Sequence, residues 1–589
     1  MAALSCIGWW LACFTALCIV VVGDEIFLEW RVKIDETINP VSEDQPVITI
    51  NDLFPGPLIN ASTNDNLHIN VFNDMDEPLL MTWNGIQQRL NSWQDGVSGS
   101  NCPIRPGTNW TYVFQMKDQI GSFYYFPSLN FQRAAGGFGP IRINNRIIIN
   151  VPFPKPEQEF DLLVGDWYYE NFTVVRATGG VGHFPNRMLI NGKGPFNDPT
   201  SKAHESFNVT QGKIYRFRIT NVGNLWSINF RIQSHTMLLV ETEGSYTNQT
   251  LLSSLDVHVG QSYSVLVTAD QAPSDYYVVA TPKIGGNNSI AAVGLLHYDK
   301  STTTPNGPLP IGPDPNDINF SINQARSITM NMTTGAARPN PQSSFNVTNV
   351  TLSQTFLLNG KIAILDGVTR YTINNVAYIT PSTPLKLADQ FLNGSGVYEL
   401  DKYPVHSGLP APVNGTFVVS GLHKGWLEIV FVNDGDMYDS WHLDGYGFFV
   451  VGYGLGQWTP EARSTMYNLY DPIVRSTVQV YPGGWTAVYV YLDNPGMWNL
   501  RSQNLKRWYL GQELYIRVYD PDPNPAKERP PPSNLLFCGA VSAPPPPSLP
   551  TTPPPSIPVS APPPPASAAA KTSHIGWLYI VTSCILAAI

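Results

Sequence analysis

Charge is scarce in this chain. Asp, Glu, Lys and Arg make up only 14% of its 589 residues, and the formal balance is −10. A nucleic-acid partner requires clustered Lys and Arg to meet phosphate, so none is expected. The same balance offers no charge attraction towards an acidic polysaccharide. Cysteine is scarcer still, with six residues in all. Serine nucleophile elbows, HExxH zinc motifs and phosphate-binding loops are missing, and nothing points to a carboxylate pair for glycoside hydrolysis. What is plentiful is aromatic: 15 Trp, 27 Tyr and 26 Phe within a hydrophobic fraction of 43%. Such a chain can bury large cores, and its length suits several domains of about 150 residues each.

The two ends are biased. The apolar run Met1–Val22 lacks the usual Lys or Arg at its start, yet it reads with Gly23 as a secretory signal (residues 1–23). The apolar tail Ile575–Ile589 is shorter than the roughly 20 residues that cross a bilayer. Small residues from Ala566 to Ala570 and the polar spacer Lys571–His574 precede it. That combination is the signal for a glycosylphosphatidylinositol (GPI) anchor, with Ser567 as the expected acceptor and 567–589 as the signal and removed tail. Residues 541–566, dense in Pro and Ser, read as an extended stalk. Trimming both ends leaves Cys102 and Cys538, which are expected to pair in an oxidising compartment. Secretion also fits twelve N-glycosylation sequons, at Asn60, Asn109, Asn171, Asn208, Asn248, Asn287, Asn319, Asn331, Asn346, Asn349, Asn393 and Asn414.

Between the ends the chain repeats itself. Asn66–Pro78, Gly212–Gly223 and Gly425–Gly435 each alternate apolar and polar residues and finish in Asn and a turn, the mark of a half-buried strand. A second unit follows each copy, at Pro106–Ser128, Val259–Pro282 and Pro482–Gln503. Upstream, Phe54–Asn60, Leu189–Gly192 and Leu357–Gly360 are read as a third shared unit. Repetition at this length predicts an all-β chain of three cupredoxin-like sandwiches. They span 24–152, 153–299 and 325–540, with a Pro/Asn/Gly-rich linker at 300–324.

Four short frames carry a resemblance. They are Thr82-Trp83-Asn84-Gly85, Tyr125-Phe126-Pro127-Ser128, Asp439-Ser440-Trp441-His442-Leu443-Asp444-Gly445-Tyr446 and Asn494–Val518. In order and surroundings they resemble the copper-ligand segments of the multicopper oxidases, the ascorbate oxidases and laccases. Most of the ligand letters differ. Where that family has His-Cys-His, this chain has Arg501-Ser502-Gln503; the next His is Arg507 and the axial position is Gln512. Thr82, Asn84, Phe126, Ser128, Asp439 and Asp444 stand at other histidine positions, and only His442, at a type 2 copper position, keeps its imidazole. A blue site needs a thiolate and two imidazoles, so ordinary oxidase activity and a full copper complement are not expected; at most one copper is.

The resemblance implies that Asp439 lies near Arg507 at the old blue site, and Asp444 near Arg501 with Ser128 beside them. Two Asp–Arg pairs are then expected to fill the vacated sites and to hold domain 1 against domain 3. The competing expectation is one divalent ion on Asp439, His442 and Asp444, which neighbouring arginines would repel. The resemblance also implies the Cys102–Cys538 bridge, since the ascorbate-oxidase-like proteins have an equivalent. Lost ligands together with the anchor signal resemble the plant monocopper oxidase-like group named for its skewed-root member. That likeness implies a plasma-membrane glycoprotein facing the cell wall and acting in directional growth and wall expansion. Three functions follow: recognition of a wall polysaccharide or surface protein, an atypical redox enzyme with one metal at His442, or a structural spacer.

Overall fold

The computed structural model describes residues 23–41, 45–146, 150–195, 204–284, 290–305, 307–332, 347–520 and 527–542. The leader, the Pro-rich stretch, Ser567, Asn287 and Asn346 lie outside the described residues.

The repeated segments fold as the alternation demands. Asn66–Asn73, Ile214–Asn221 and Trp426–Asn433 are strands, and along the first the buried positions are Leu67, Ile69, Val71 and Asn73. Each takes a parallel neighbour on one side: Glu25–Asp35, Gln158–Trp167 and Leu352–Leu365. Each takes an antiparallel neighbour on the other: Asn109–Gln115, Ser262–Thr268 and Gly484–Tyr491. The facing sheets repeat as well. Gly121–Pro127, Asp275–Pro282 and Gly496–Ser502 each sit between two antiparallel neighbours. On one side these neighbours are Met81–Asn84, Ile228–Ile232 and Asp439–Leu443, the strands that carry the candidate site in domains 1 and 3. The result is three sandwiches of one topology.

Two asparagine positions explain why the pattern recurs. Asn73, Asn221 and Asn433 end their strands fully buried. Each donates one side-chain bond to a carbonyl across the following turn and one to a carbonyl much further along the chain, and accepts one from the backbone two residues on. Asn51, Asn191 and Asn374 occupy left-handed backbone, with φ of 53°, 48° and 52°, which Asn tolerates better than most residues. Their side-chain carbonyls accept from Arg31, Leu163 and Asn359 amides at 2.7–2.8 Å, and their amides donate to carbonyls two residues earlier.

This second set corrects the sequence reading. Leu357–Gly360 lies inside the strand Leu352–Leu365, and the counterparts of Leu189–Gly192 are Thr372-Ile373-Asn374-Asn375 and, in domain 1, Thr49-Ile50-Asn51-Asp52 ahead of Phe54–Asn60. The segment 300–324 is likewise not all linker: a helix at Ile318–Ser327, capped by the Asp317 side chain, takes its last part. Cys102 and Cys538 form a disulfide with a Cα separation of 5.9 Å, joining domain 1 to the stretch beyond the last strand. Of the ten described sequon asparagines, Asn171 and Asn331 are half-buried and the other eight are exposed.

Candidate functional site

The old blue position is built around one carboxylate. Asp439 opens the buried strand Asp439–Leu443 and is 3% exposed. Its Oδ1 accepts from the Ser502 hydroxyl at 2.6 Å and the Ser440 amide at 2.9 Å. Its Oδ2 accepts from Arg507 at 2.8 Å and from Gln512 at 3.2 Å. Four donors saturate the anion, which is what a buried carboxylate requires. Gln512 reaches it because Gly360 leaves room, since a Cβ there would lie 2.3 Å from Gln512 Nε2.

The second centre surrounds Arg501, which is fully buried. Its Nη1 is bonded to Asp444 and, at 3.0 Å, to Asn499 Oδ1. Its Nη2 donates to Asn84 Oδ1 at 3.3 Å, and the guanidinium lies 4.7 Å from the Trp508 ring centroid. Burial pushes the Asp444 pKa up, but Arg501 and His442 outweigh it and hold the carboxylate below its ordinary range. Asp95 is its opposite. Burial, with Asp444's charge behind it, drives the Asp95 pKa well above the usual carboxyl range. Gly96, next to it, lets this loop lie against the strand Met81–Asn84. Its φ is +76°, and a Cβ would lie 1.7 Å from the Met81 carbonyl oxygen. Beside Arg501, Glu513 takes bonds from Trp508 and Asn499, both at 2.8 Å, while burial raises its pKa to about 7.

His442 faces the same network. Its Nε2 lies 2.8 Å from Asp444 Oδ1, and its Nδ1 lies 2.8 Å from Thr477 Oγ1. The carboxylate only accepts, so Nε2 carries the hydrogen. Burial lowers the imidazole's pKa, which leaves Nδ1 as the acceptor for the Thr477 hydroxyl. Neither nitrogen keeps a lone pair for a metal.

The other frame positions are equally committed. Thr82 donates to the Asp95 carbonyl at 2.9 Å, and Gln503 donates to Asn84 at 2.6 Å. Phe126 packs under the Arg133 guanidinium at 4.9 Å. The Ser128 hydroxyl donates to the Gly96 carbonyl at 2.7 Å, so it does not join the Asp444–Arg501 pair as expected.

Both expected Asp–Arg contacts are present, but each lies inside domain 3 and neither crosses an interface. At this centre the join to domain 1 is made by Asn84, which receives both Arg501 and Gln503, and by Arg133; elsewhere along the same interface Arg89 pairs with Asp493 at 2.8 Å and Asn494 donates to the Gln87 carbonyl. Arg133 is 1% exposed and donates to Gln503 of domain 3 at 3.1 and 2.6 Å and to Asn224 of domain 2 at 3.4 Å. Asp95, Arg133, Thr477, Asn499 and Glu513 were not assigned roles from sequence. Asn499 and Glu513 sit within the frame Asn494–Val518 but away from its ligand positions; Asp95, Arg133 and Thr477 lie outside the four frames.

The geometry is that of a three-domain copper oxidase with its ligand positions rebuilt, and the comparisons agree. The multicopper oxidase family profile matches residues 33–147, 158–301 and 382–524. The chain is 49% identical to the Arabidopsis thaliana "Monocopper oxidase-like protein SKU5" and 47% identical to "Monocopper oxidase-like protein SKS2". Each match covers 86% of this chain and 88% of the relative. Among solved structures, the laccase from Botrytis aclada superposes with a TM-score of 0.70 at 22% identity, over 84% of this chain and 88% of that one, which speaks to the fold alone. The chain belongs to the multicopper oxidase family, in its monocopper oxidase-like group.

Family membership implies copper, and the donors present do not fit it. The thiolate position is a serine bonded to Asp439, the conserved imidazole has both nitrogens engaged, and two arginines place positive charge at the centres. Among the described residues, no group of three His, Cys, Asp or Glu side chains is arranged to hold a metal. Asp439 and Asp444 serve separate networks, which removes the three-residue divalent site.

Proposed function

We propose that this chain is a GPI-anchored glycoprotein on the outer face of the plasma membrane that has kept the oxidase body and given up oxidase chemistry. Facing the cell wall, the body serves recognition of a wall polysaccharide or surface protein during directional growth and wall expansion. One observation carries the loss of chemistry: Asp439–Arg507 and Asp444–Arg501 ion pairs stand where imidazole ligands would be needed, with Ser502 at the thiolate position. The growth role is carried over from the skewed-root group that the sequence resembles, and identities of 46–49% to three of its members support it. Surface exposure of eight sequon asparagines supports a glycosylated body.

The test is oxygen uptake by the purified secreted protein after incubation with copper, with ascorbate and a diphenol as electron donors. No uptake above the copper-free control is expected; copper-dependent turnover overturns the reading in favour of an atypical oxidase using His442. Release of the protein from intact cells by a phosphatidylinositol-specific phospholipase is expected, and retention refutes the anchor.

A further inference from the structure

We infer that the cavity beside Trp458 binds a short stretch of an uncharged polysaccharide, an assignment that rests on the recognition role proposed above and gives it a place. The cavity has a volume of about 650 Å³ and belongs entirely to domain 3. That lies within the roughly 300–1,000 Å³ of ordinary ligand pockets. It opens where the loop after Phe448–Leu455 meets the turn before Gly484–Tyr491, joined by Gly456 N–H to the Gly483 carbonyl at 2.8 Å. Both glycines have left-handed backbone (φ +75° and +59°), and a Cβ at either would meet nothing within 4 Å. The two loops therefore approach each other without filling the space between them.

One wall is a fixed aromatic surface. Trp458 is half-buried; its indole N–H donates to Tyr467 at 2.9 Å, and Arg463 lies 5.1 Å from its ring centroid. Arg463 is itself tied to the buried Glu428 and does not line the cavity. The ring is thus held without using up the cavity side, a low-entropy platform of the kind that stacks on flat apolar faces.

Also lining the cavity, Asn359 Nδ2 donates to Asp434 Oδ2 at 2.8 Å; with Lys361 4.0 Å from the same oxygen, the carboxylate is oriented and its other oxygen is left to accept from a hydroxyl. Gln457 and His406 stand exposed at the rim with further donors and acceptors. An aromatic plane and a carboxamide–carboxylate pair in one cavity match a sugar, with its C–H face and its ring of hydroxyls. The charge selects the kind of sugar. Among the described lining residues there is no Lys or Arg, and the nearby Lys361 is already paired with Asp434 at 4.0 Å, so a uronate polymer would find no spare cation for its carboxylates.

Calorimetric titration of the purified secreted protein tests this, with cellohexaose, xylohexaose and mannohexaose as neutral probes and hexagalacturonate as the acidic one. At least one neutral probe is expected to bind, with hexagalacturonate weaker than it. Trp458→Ala should weaken that binding by about tenfold, as for a lost aromatic contact. Gln457→Ala, an exposed change, should weaken it several-fold while keeping the wild-type melting curve. The assignment falls if no neutral probe binds, if hexagalacturonate binds as tightly, or if Gln457→Ala and Trp458→Ala both bind like wild type. In the last case the recognition role stands and only this location is lost, whereas copper-dependent oxygen uptake would remove the role itself.

Discussion

Arg501 and Asp444 illustrate how a metal centre becomes a structural one. A buried ion pair adds little by itself, because desolvating both charges offsets their attraction, but removing one partner strands the other. Arg501→Met should therefore cost about 3–5 kcal/mol in chemical denaturation, and adding Asp444→Asn should restore much of it. A loss below about 1 kcal/mol, the size of an ordinary surface change, would refute the pairing. Glu513 gives a second test with the opposite sign from a salt-bridged acid. Its carboxyl holds a proton up to about pH 7 in the fold, against an ordinary value of 4.5. The unfolded chain thus releases that proton first, and stability present below pH 4.5 is lost as the pH rises towards 7, by ~3 kcal/mol at most. Thermal melts from pH 4 to 8 should show this slope in the wild type and not in Glu513→Gln; parallel curves would contradict it. None of Glu513, Asn499 or Thr477 was visible beforehand, because burial and cross-strand register, not local spacing, give them their roles.

The strands were legible because burial on one face imposes a period of two, as Leu67, Ile69 and Val71 show. The asparagine turns were half legible. The strand-ending Asn73, Asn221 and Asn433 were read in register, whereas the left-handed set was misaligned in domain 1, where it lies at Asn51 ahead of Phe54–Asn60, and in domain 3. There, Leu-Asn-Gly at Leu358–Gly360 imitates the turn at Asn191, and only the pairing of Gly360 with Ile373 shows the true partner, Asn374. These turns should behave alike under substitution. Asn51→Ala loses two side-chain bonds, Asn191→Ala and Asn374→Ala lose three each, and all put Ala in left-handed backbone, so each should destabilise by about 1–3 kcal/mol. The Gly variants, free of the backbone penalty, should recover about 1 kcal/mol of that. Equal losses for Ala and Gly would show that conformation contributes nothing.

The three sandwiches are fastened in part by groups that the family frame does not reveal. Arg133 contacts all three domains, and burial presses its pKa down, so its guanidinium depends on Gln503 and Asn224 for compensation. Arg133→Ala should lower the melting temperature, cost about 2–5 kcal/mol like other truncations of a buried hydrogen-bonded charge, and raise protease sensitivity between domains. An unchanged melt would place the fastening elsewhere. The ligand positions themselves could be found from sequence, since their frames survive intact, but not what fills them: Ser128 turns to Gly96, and the Asp–Arg pairs close within domain 3. The most direct test of this rebuilt interior is the metal content of the purified secreted protein, with visible absorption and spin resonance on the same sample. Copper far below one per chain, with no blue thiolate-to-copper band and no change on His442→Ala, is the predicted result. One tightly held copper per chain that disappears on His442→Ala would contradict it.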